Sequence, residues 1–299
     1  MTQLLCKRIR QSLCLVPSIL IVAACTSAPP MAETNPKLEL NDSNVFIEAT
    51  LKSDLKKMDA LLKAGRDINE PNSQGMNGLM VSARKCNLKS LKWLIEHGAD
   101  VLRFDSESSG PLHFAVLGDC RDAIAPLVKA GANVDAADGF DLTPLMLAVR
   151  FTSVKTTKAL LENKAQIHLQ DSRGWSALHF AGVRGQKEIL EALLEKKPNL
   201  ELLTEHHETP LMIAVLERKN DLAKRLLEAG ANFNEINDIG ESPLHVAVNG
   251  KNIDLVKILL AAGANPNTKD GNGQTVTDKV IALGWGKDFA ELVKESQHE

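Results

Sequence analysis

Apolar residues recur along this chain at helical spacing, and the pattern restarts about every 33 residues. Between 253 and 260, Ile253, Val256, Ile258, Leu259 and Leu260 mark the apolar face of a predicted helix. Gly263 then stands where a left-handed residue ends it. Gly65, Gly98, Gly131, Gly230 and Gly263 fall on one 33-residue lattice, with Lys164 and Lys197 on the two remaining points. A second lattice runs through Ala83, Ala115, Ala148, Ala181, Ala214 and Ala247, with one step of 32 and four of 33. A Thr or Ser followed by Pro, as at Thr143-Pro144, starts a helix ahead of the alanine: the hydroxyl caps free N–H groups and Pro presets the first turn. Asp138-Gly139 and Asp270-Gly271 supply turns between units. One helix pair cannot bury its apolar face alone, so the pattern predicts neighbours stacked around a continuous core.

The segments around the alanines are Gly-Pro-Leu-His-Phe-Ala (110–115), Thr-Pro-Leu-Met-Leu-Ala (143–148), Ser-Ala-Leu-His-Phe-Ala (176–181), Thr-Pro-Leu-Met-Ile-Ala (209–214) and Ser-Pro-Leu-His-Val-Ala (242–247). They resemble the ankyrin signature Thr-Pro-Leu-His-x-Ala, over roughly residues 41–295. The resemblance implies an all-α ankyrin-repeat solenoid of helix–turn–helix units joined by β-turns. About eight units are expected: an N-terminal cap at 41–69, six repeats (70–102, 103–135, 136–168, 169–201, 202–234, 235–267) and a C-terminal cap at 268–297. At Lys164 and at Lys197-Pro198 the second helices are expected to end differently from the family pattern.

The first residues follow another logic. Lys7, Arg8 and Arg10 precede an apolar run from Leu13 to Ala24, too short for a comfortable membrane span. The run ends in Val22-Ala23-Ala24-Cys25, which resembles the lipobox of bacterial lipoproteins. That resemblance implies a signal peptide at 1–24 and lipid attachment at Cys25, with 25–40 as a proline-containing tether. Thr26 stands where an Asp would imply inner-membrane retention, so the expected location is the Gram-negative outer membrane, facing the periplasm. The ordinary alternative is a secretory signal with a chance cysteine.

Composition narrows the function. The formal charge is −3, aromatics make up 4% and Tyr is absent, so neither a basic face nor stacking platforms for nucleic acid are expected. His113, His179 and His245 occupy one position in alternate units. Helices stacked at about 8–10 Å place these rings roughly 20 Å apart, whereas zinc needs ligands at about 2.0–2.1 Å. No metal, cofactor or catalytic constellation is expected, and there is no Gly-x-Ser-x-Gly, His-Glu-x-x-His or phosphate loop. Cys86 and Cys120 lie in adjacent units; after export, a bridge between them and two separate thiols both remain open.

By the ankyrin resemblance, partners bind a concave face of turn tips and residues following the lattice alanines. Units 4 and 5 place Phe140, Leu142, Phe151 and Trp175 beside Arg150, Arg173 and Arg184. Glu205, His206, Glu208 and Glu241 follow in units 6 and 7. Aromatics and Arg near an interface centre favour a binding hot spot; the competing reading is that the aromatics pack against neighbouring turns. The expected function is a monomeric, membrane-anchored periplasmic adaptor that binds another protein without catalysis, the partner carrying acidic residues around an apolar knob. It would act as an immunity protein against a toxic effector, or as an accessory factor for a periplasmic enzyme or stress defence.

Overall fold

The computed structural model describes residues 44–151, 153–285, 289–291 and 293–294. The expected signal peptide, Cys25 and the tether lie outside these residues. No helix among the described residues is long and apolar enough to cross a membrane.

Helices come in pairs. The first members are α1 (Val45–Leu51), α3 (Gly78–Arg84), α5 (Pro111–Leu117), α7 (Pro144–Phe151), α9 (Ala177–Arg184), α11 (Pro210–Leu216), α13 (Pro243–Asn249) and α15 (Val276–Ala282). The second members are α2 (Leu55–Lys63), α4 (Leu88–Glu96), α6 (Arg121–Lys129), α8 (Val154–Glu162), α10 (Lys187–Leu194), α12 (Asn220–Glu228) and α14 (Ile253–Ala261). The described residues contain no strand, only isolated bridges at Gln170–Ser176 and Lys269–Thr275. The fold is an all-helical repeat solenoid.

Local chemistry sets these boundaries. Thr209 Oγ1 accepts the Met212 N–H at the start of α11, with Pro210 in its first turn. Asp54, Asn87 and Asn252 cap second helices in the same way. First helices form the centre of the core: Leu145, Met146, Leu147, Ala148 and Val149 are all buried. Each such Leu or Met contributes about 1.5–3 kcal/mol by leaving water. Ala115, Ala148, Ala181, Ala214 and Ala247 are buried where neighbouring helices meet. In unit 2 this place belongs to Ser82, not Ala83: the caps Asn77 and Gly110 are 33 residues apart, so Ser82 aligns with Ala115. Ser82 satisfies its hydroxyl on the Leu79 carbonyl, at 2.8 Å.

The expected irregularity at Lys164 does not occur in the backbone. Lys164 adopts φ +67°, and the Ala165 N–H bonds to Leu160 O, as the Ala132 N–H bonds to Leu127 O after Gly131. Lys197 is also left-handed, at φ +53°. Pro198 has no N–H, so α10 ends without that second bond.

A ladder of side chains joins successive helix-turn tips. Ser53 Oγ meets Asn87 Oδ1 at 3.0 Å, and Ser153 Oγ donates to Asp119 Oδ1 at 2.7 Å. The rung between them is covalent: Cys86 and Cys120 form a disulfide across a 34-residue separation, with their Cα atoms 5.1 Å apart. Beside it the backbones nearly touch, so that a Cβ on Gly118 would sit 2.0 Å from the Arg84 carbonyl oxygen. At the other end of the array, Lys279 of α15 pairs with Glu241 at 2.7 Å and Asp270 at 2.9 Å, all three side chains being largely buried.

The histidines link units. His113 Nδ1 accepts the Gly110 N–H, and its Nε2–H reaches the Leu142 carbonyl of the next unit at 3.2 Å. His179 repeats this with the Ser176 N–H and the Glu208 carbonyl. Burial holds His113, His179 and His245 below the ordinary imidazole value, His179 at about 4. A lowered folded value means that the unfolded chain takes up the proton first. The His179 contribution is therefore complete above pH 6.5 and is lost as pH falls from 6.5 through 4, amounting to about 3 kcal/mol. Urea unfolding at pH 7 and pH 4 is expected to show a steeper loss in the wild type than in His179→Asn. Equal slopes would remove this account.

Candidate protein-binding face

The links between units are fingers built on one rule. The first residue of each finger accepts two backbone N–H groups, two and four positions ahead. Asp138 Oδ1 takes those of Phe140 and Leu142, and Asp171 Oδ1 takes those of Arg173 and Trp175, all at 2.8–2.9 Å. Asn237 does the same for Ile239 and Glu241, and Thr204 Oγ1 for His206 and Glu208. The chain therefore doubles back: the residue two positions ahead stands at the tip, and the residue four ahead folds inward.

This rule separates the sequence-predicted contacts. Phe140 is 50% exposed at its tip and Phe151 is 42% exposed at the end of α7. Leu142 and Trp175, expected on the binding face, are only 3% and 7% exposed. They occupy the inward position and are not available as direct contacts. Glu208 and Glu241 are buried for the same reason. Trp175 instead forms a floor, with its ring 5.2 Å from Phe180 and beneath the Arg173 guanidinium at 5.6 Å.

The fingers are tied into a comb. Gly139 N–H bonds to Glu107 O, Glu205 N–H to Arg173 O, Asp238 N–H to His206 O and Gly271 N–H to Ile239 O, at 2.8–3.1 Å. Among the described residues, the matching bond from Ser172 N–H to Phe140 O is absent. The gap falls between units 4 and 5.

Arg150 lies at this gap. Its guanidinium is 4.7 Å from the Phe151 ring centre and 5.5 Å from that of Phe180, both within cation–π range. Arg173 is neutralised by buried Asp171 at 3.1 Å. Arg150 has no ion pair or hydrogen bond among the described residues. Burial, and then repulsion from Arg173, press its guanidinium below the ordinary value, with Asp171 opposing. It remains charged at neutral pH, so a half-buried cation faces solvent without an anion. Arg184 is exposed on the neighbouring α9.

The ankyrin-repeat family model matches this sequence in three copies, at residues 45–138, 135–204 and 197–270. The chain belongs to the ankyrin-repeat family. The solenoid is similar to the ankyrin repeat domain of Bcl-3, a member of the IkappaB family, with TM-score 0.65 and 26% identity, covering 69% of this chain and 95% of that one. It is also similar to the ankyrin repeat domain of human ASB11, with TM-score 0.60 and 29% identity, covering 68% and 91%. No curated protein matches the sequence. Ankyrin repeats are protein-interaction modules, which makes the finger face the first place to seek a partner.

Beyond the arginines this ankyrin face changes sign. His206 lies between Glu205 at 3.7 Å and Asp238 at 3.5 Å. Glu208, beneath them, is raised above the usual carboxylate range by burial, with His206 and Thr204 opposing. Exposed Leu117 and Ile239 extend the apolar surface on either side. The signal that separates tips from inward residues was present in the sequence: Asp138, Asp171, Asn237 and Asp270 share one row of the repeat.

Proposed function

We propose that this ankyrin protein is a membrane-anchored adaptor of the Gram-negative envelope, held through a lipid on Cys25 at the outer membrane. It faces the periplasm as a monomer and binds another protein on its finger face without catalysis. Arg150 carries the reading. A half-buried guanidinium between two aromatic rings, lacking its own carboxylate, is arranged to receive an acidic side chain of a partner. Arg–carboxylate pairs are among the strongest charge-assisted hydrogen bonds. Phe140 and Phe151 supply apolar surface next to it, and Arg173 and Arg184 extend the positive field.

The test is recovery of partners by the tagged full chain from crosslinked envelopes, beside an Arg150→Ala, Phe151→Ala variant. Loss of a central Arg–aromatic pair is expected to cost at least about 2 kcal/mol, or roughly 30-fold in affinity. One dominant protein recovered by the wild type and lost from the variant supports this face; equal recovery by both moves the site elsewhere. A toxic effector as the partner favours the immunity role, and an envelope enzyme favours the accessory role.

The anchor has its own prediction. Cys25→Ser is expected to shift the folded protein from the membrane to the soluble fraction, because stable attachment needs two or more acyl chains. Unchanged retention in fractionated cells would rule out the lipid.

A further inference from the structure

Units 6 and 7 contain a second feature, made of residues that take no part in the finger face. Between α12 and α14 runs an open groove of about 810 Å³, lined by Leu227, Phe233 and Ile258 with Ala261 and Ala262 alongside. That volume lies in the range of small-molecule sites.

Two lining residues depart from their rows in the repeat. The row of Ala261 holds Lys or Glu in all six earlier units, from Lys63 to Glu228. A charge there would project toward the groove, and unit 7 omits it. The row of Phe233 is aliphatic in the five earlier units, from Ile68 to Leu200. One change removes a charge and the other enlarges the apolar wall.

The polar groups define what fits. Asn232, the one uncharged polar side chain in the lining, is tied to its neighbours through both ends of its amide. Its Nδ2 donates to Glu235 Oε1 at 2.8 Å, its Oδ1 accepts the Asn234 N–H at 2.9 Å, and its backbone N–H goes to Glu201 Oε1 at 2.9 Å. One amide N–H of Asn232 is all that the uncharged side chains offer a polar ligand body. Lys224 and Lys257 are exposed on matching positions of the two helices, about one turn before Leu227 and Ala261. Neither has an ion pair or hydrogen bond among the described residues. Glu228 is the one carboxylate in the lining, so the two lysines leave a net positive charge.

We infer that this groove binds a single-chain anionic amphiphile, a long-chain fatty acid. Its alkyl chain lies along Leu227, Phe233 and Ile258, and its carboxylate meets Lys224 and Lys257. The site is independent of the adaptor reading, since it shares no residue with Arg150 or Phe151.

The experiment uses the full chain carrying Cys25→Ser, so that no attached lipid competes. Cis-parinaric acid, a fluorescent fatty acid, is titrated below its micelle concentration and then displaced with palmitate. Saturable, displaceable binding is expected. Ala261→Glu restores the charge found in other units at an exposed helix position, and should weaken binding at least tenfold with an unchanged circular-dichroism melt. Lys224→Ala with Lys257→Ala should weaken the acid about tenfold while leaving its methyl ester unaffected. If Ala261→Glu does not fold, the lysine pair decides alone. Absence of saturable binding, or equal binding by wild type and variants, overturns the proposal and leaves the groove to a protein segment.

Discussion

Lys279→Ala is expected to destabilise the C-terminal end of the array by about 3–5 kcal/mol, the usual consequence of removing one partner from a buried charge cluster. Glu241 and Asp270 would keep their burial and lose their cation. Burial acts against the Lys279 charge, but the two carboxylates outweigh it and hold the ammonium above its ordinary value. Asp270 is lowered, with burial opposing and the Lys279 bond and two backbone N–H groups prevailing. Neutralising both acids in the same chain, with Glu241→Gln and Asp270→Asn, should recover much of the loss. Asn at 270 keeps the oxygen that accepts the Asn272 and Gln274 N–H groups. Hydrogen exchange of α15, alongside urea unfolding, is the measurement. Protection within about 0.5 kcal/mol of the wild type would show that the cluster contributes little.

The second large effect is at the opposite end. Replacing both cysteines by Ser should cost up to about 4 kcal/mol, because the Cys86–Cys120 bridge closes a loop of 34 residues in the unfolded chain. Ser at both positions can still form a hydrogen-bonded rung like that of Ser53 and Asn87, which softens the loss. In a solenoid each unit contacts only its neighbours, so the damage should concentrate in units 1 to 3. Denaturation with and without a dithiol reductant checks this: reductant should shift the wild type and leave the Ser variant unchanged. A reductant-insensitive wild type would mean that the bridge adds no stability.

The period, helix pairing and unit count were legible because each rests on local chemistry repeated many times. Thr209-Pro210 states a helix start, and Gly263 states an end. Side-chain direction within the fingers was harder to see. Trp175 looks like a hot-spot residue by type and position, yet the two bonds to Asp171 Oδ1 turn the chain so that its ring faces Phe180. Only counting forward from the aspartate distinguishes Arg173 from Trp175. Ser82 was hidden by Ala83, its alanine neighbour, in a unit that lacks the Thr-Pro-Leu start. Lys164 departs from Gly in composition but not in conformation. The Lys279 cluster joins residues from a finger, a turn and a helix, 38 positions apart at the widest, and no short-range pattern announces it. The isolation of Arg150 likewise depends on where Asp171 points.

The contact between Gly118 and Arg84 also bears on how this array can be rearranged. A uniform 33-residue register invites the exchange of units as interchangeable modules. At the place of Gly118, however, units 4, 5 and 6 carry Phe151, Arg184 and Glu217, and only unit 7 repeats the glycine, as Gly250. Gly118 has φ −86°, a conformation open to any residue, so space alone demands glycine there. Unit 4, 5 or 6 transplanted behind unit 2 would bring a side chain into the Arg84 carbonyl. Units 2 and 3 therefore form a matched pair that must be moved together, whereas a chimera cut between other units meets no such obstacle at this row unless it, too, closes to backbone contact.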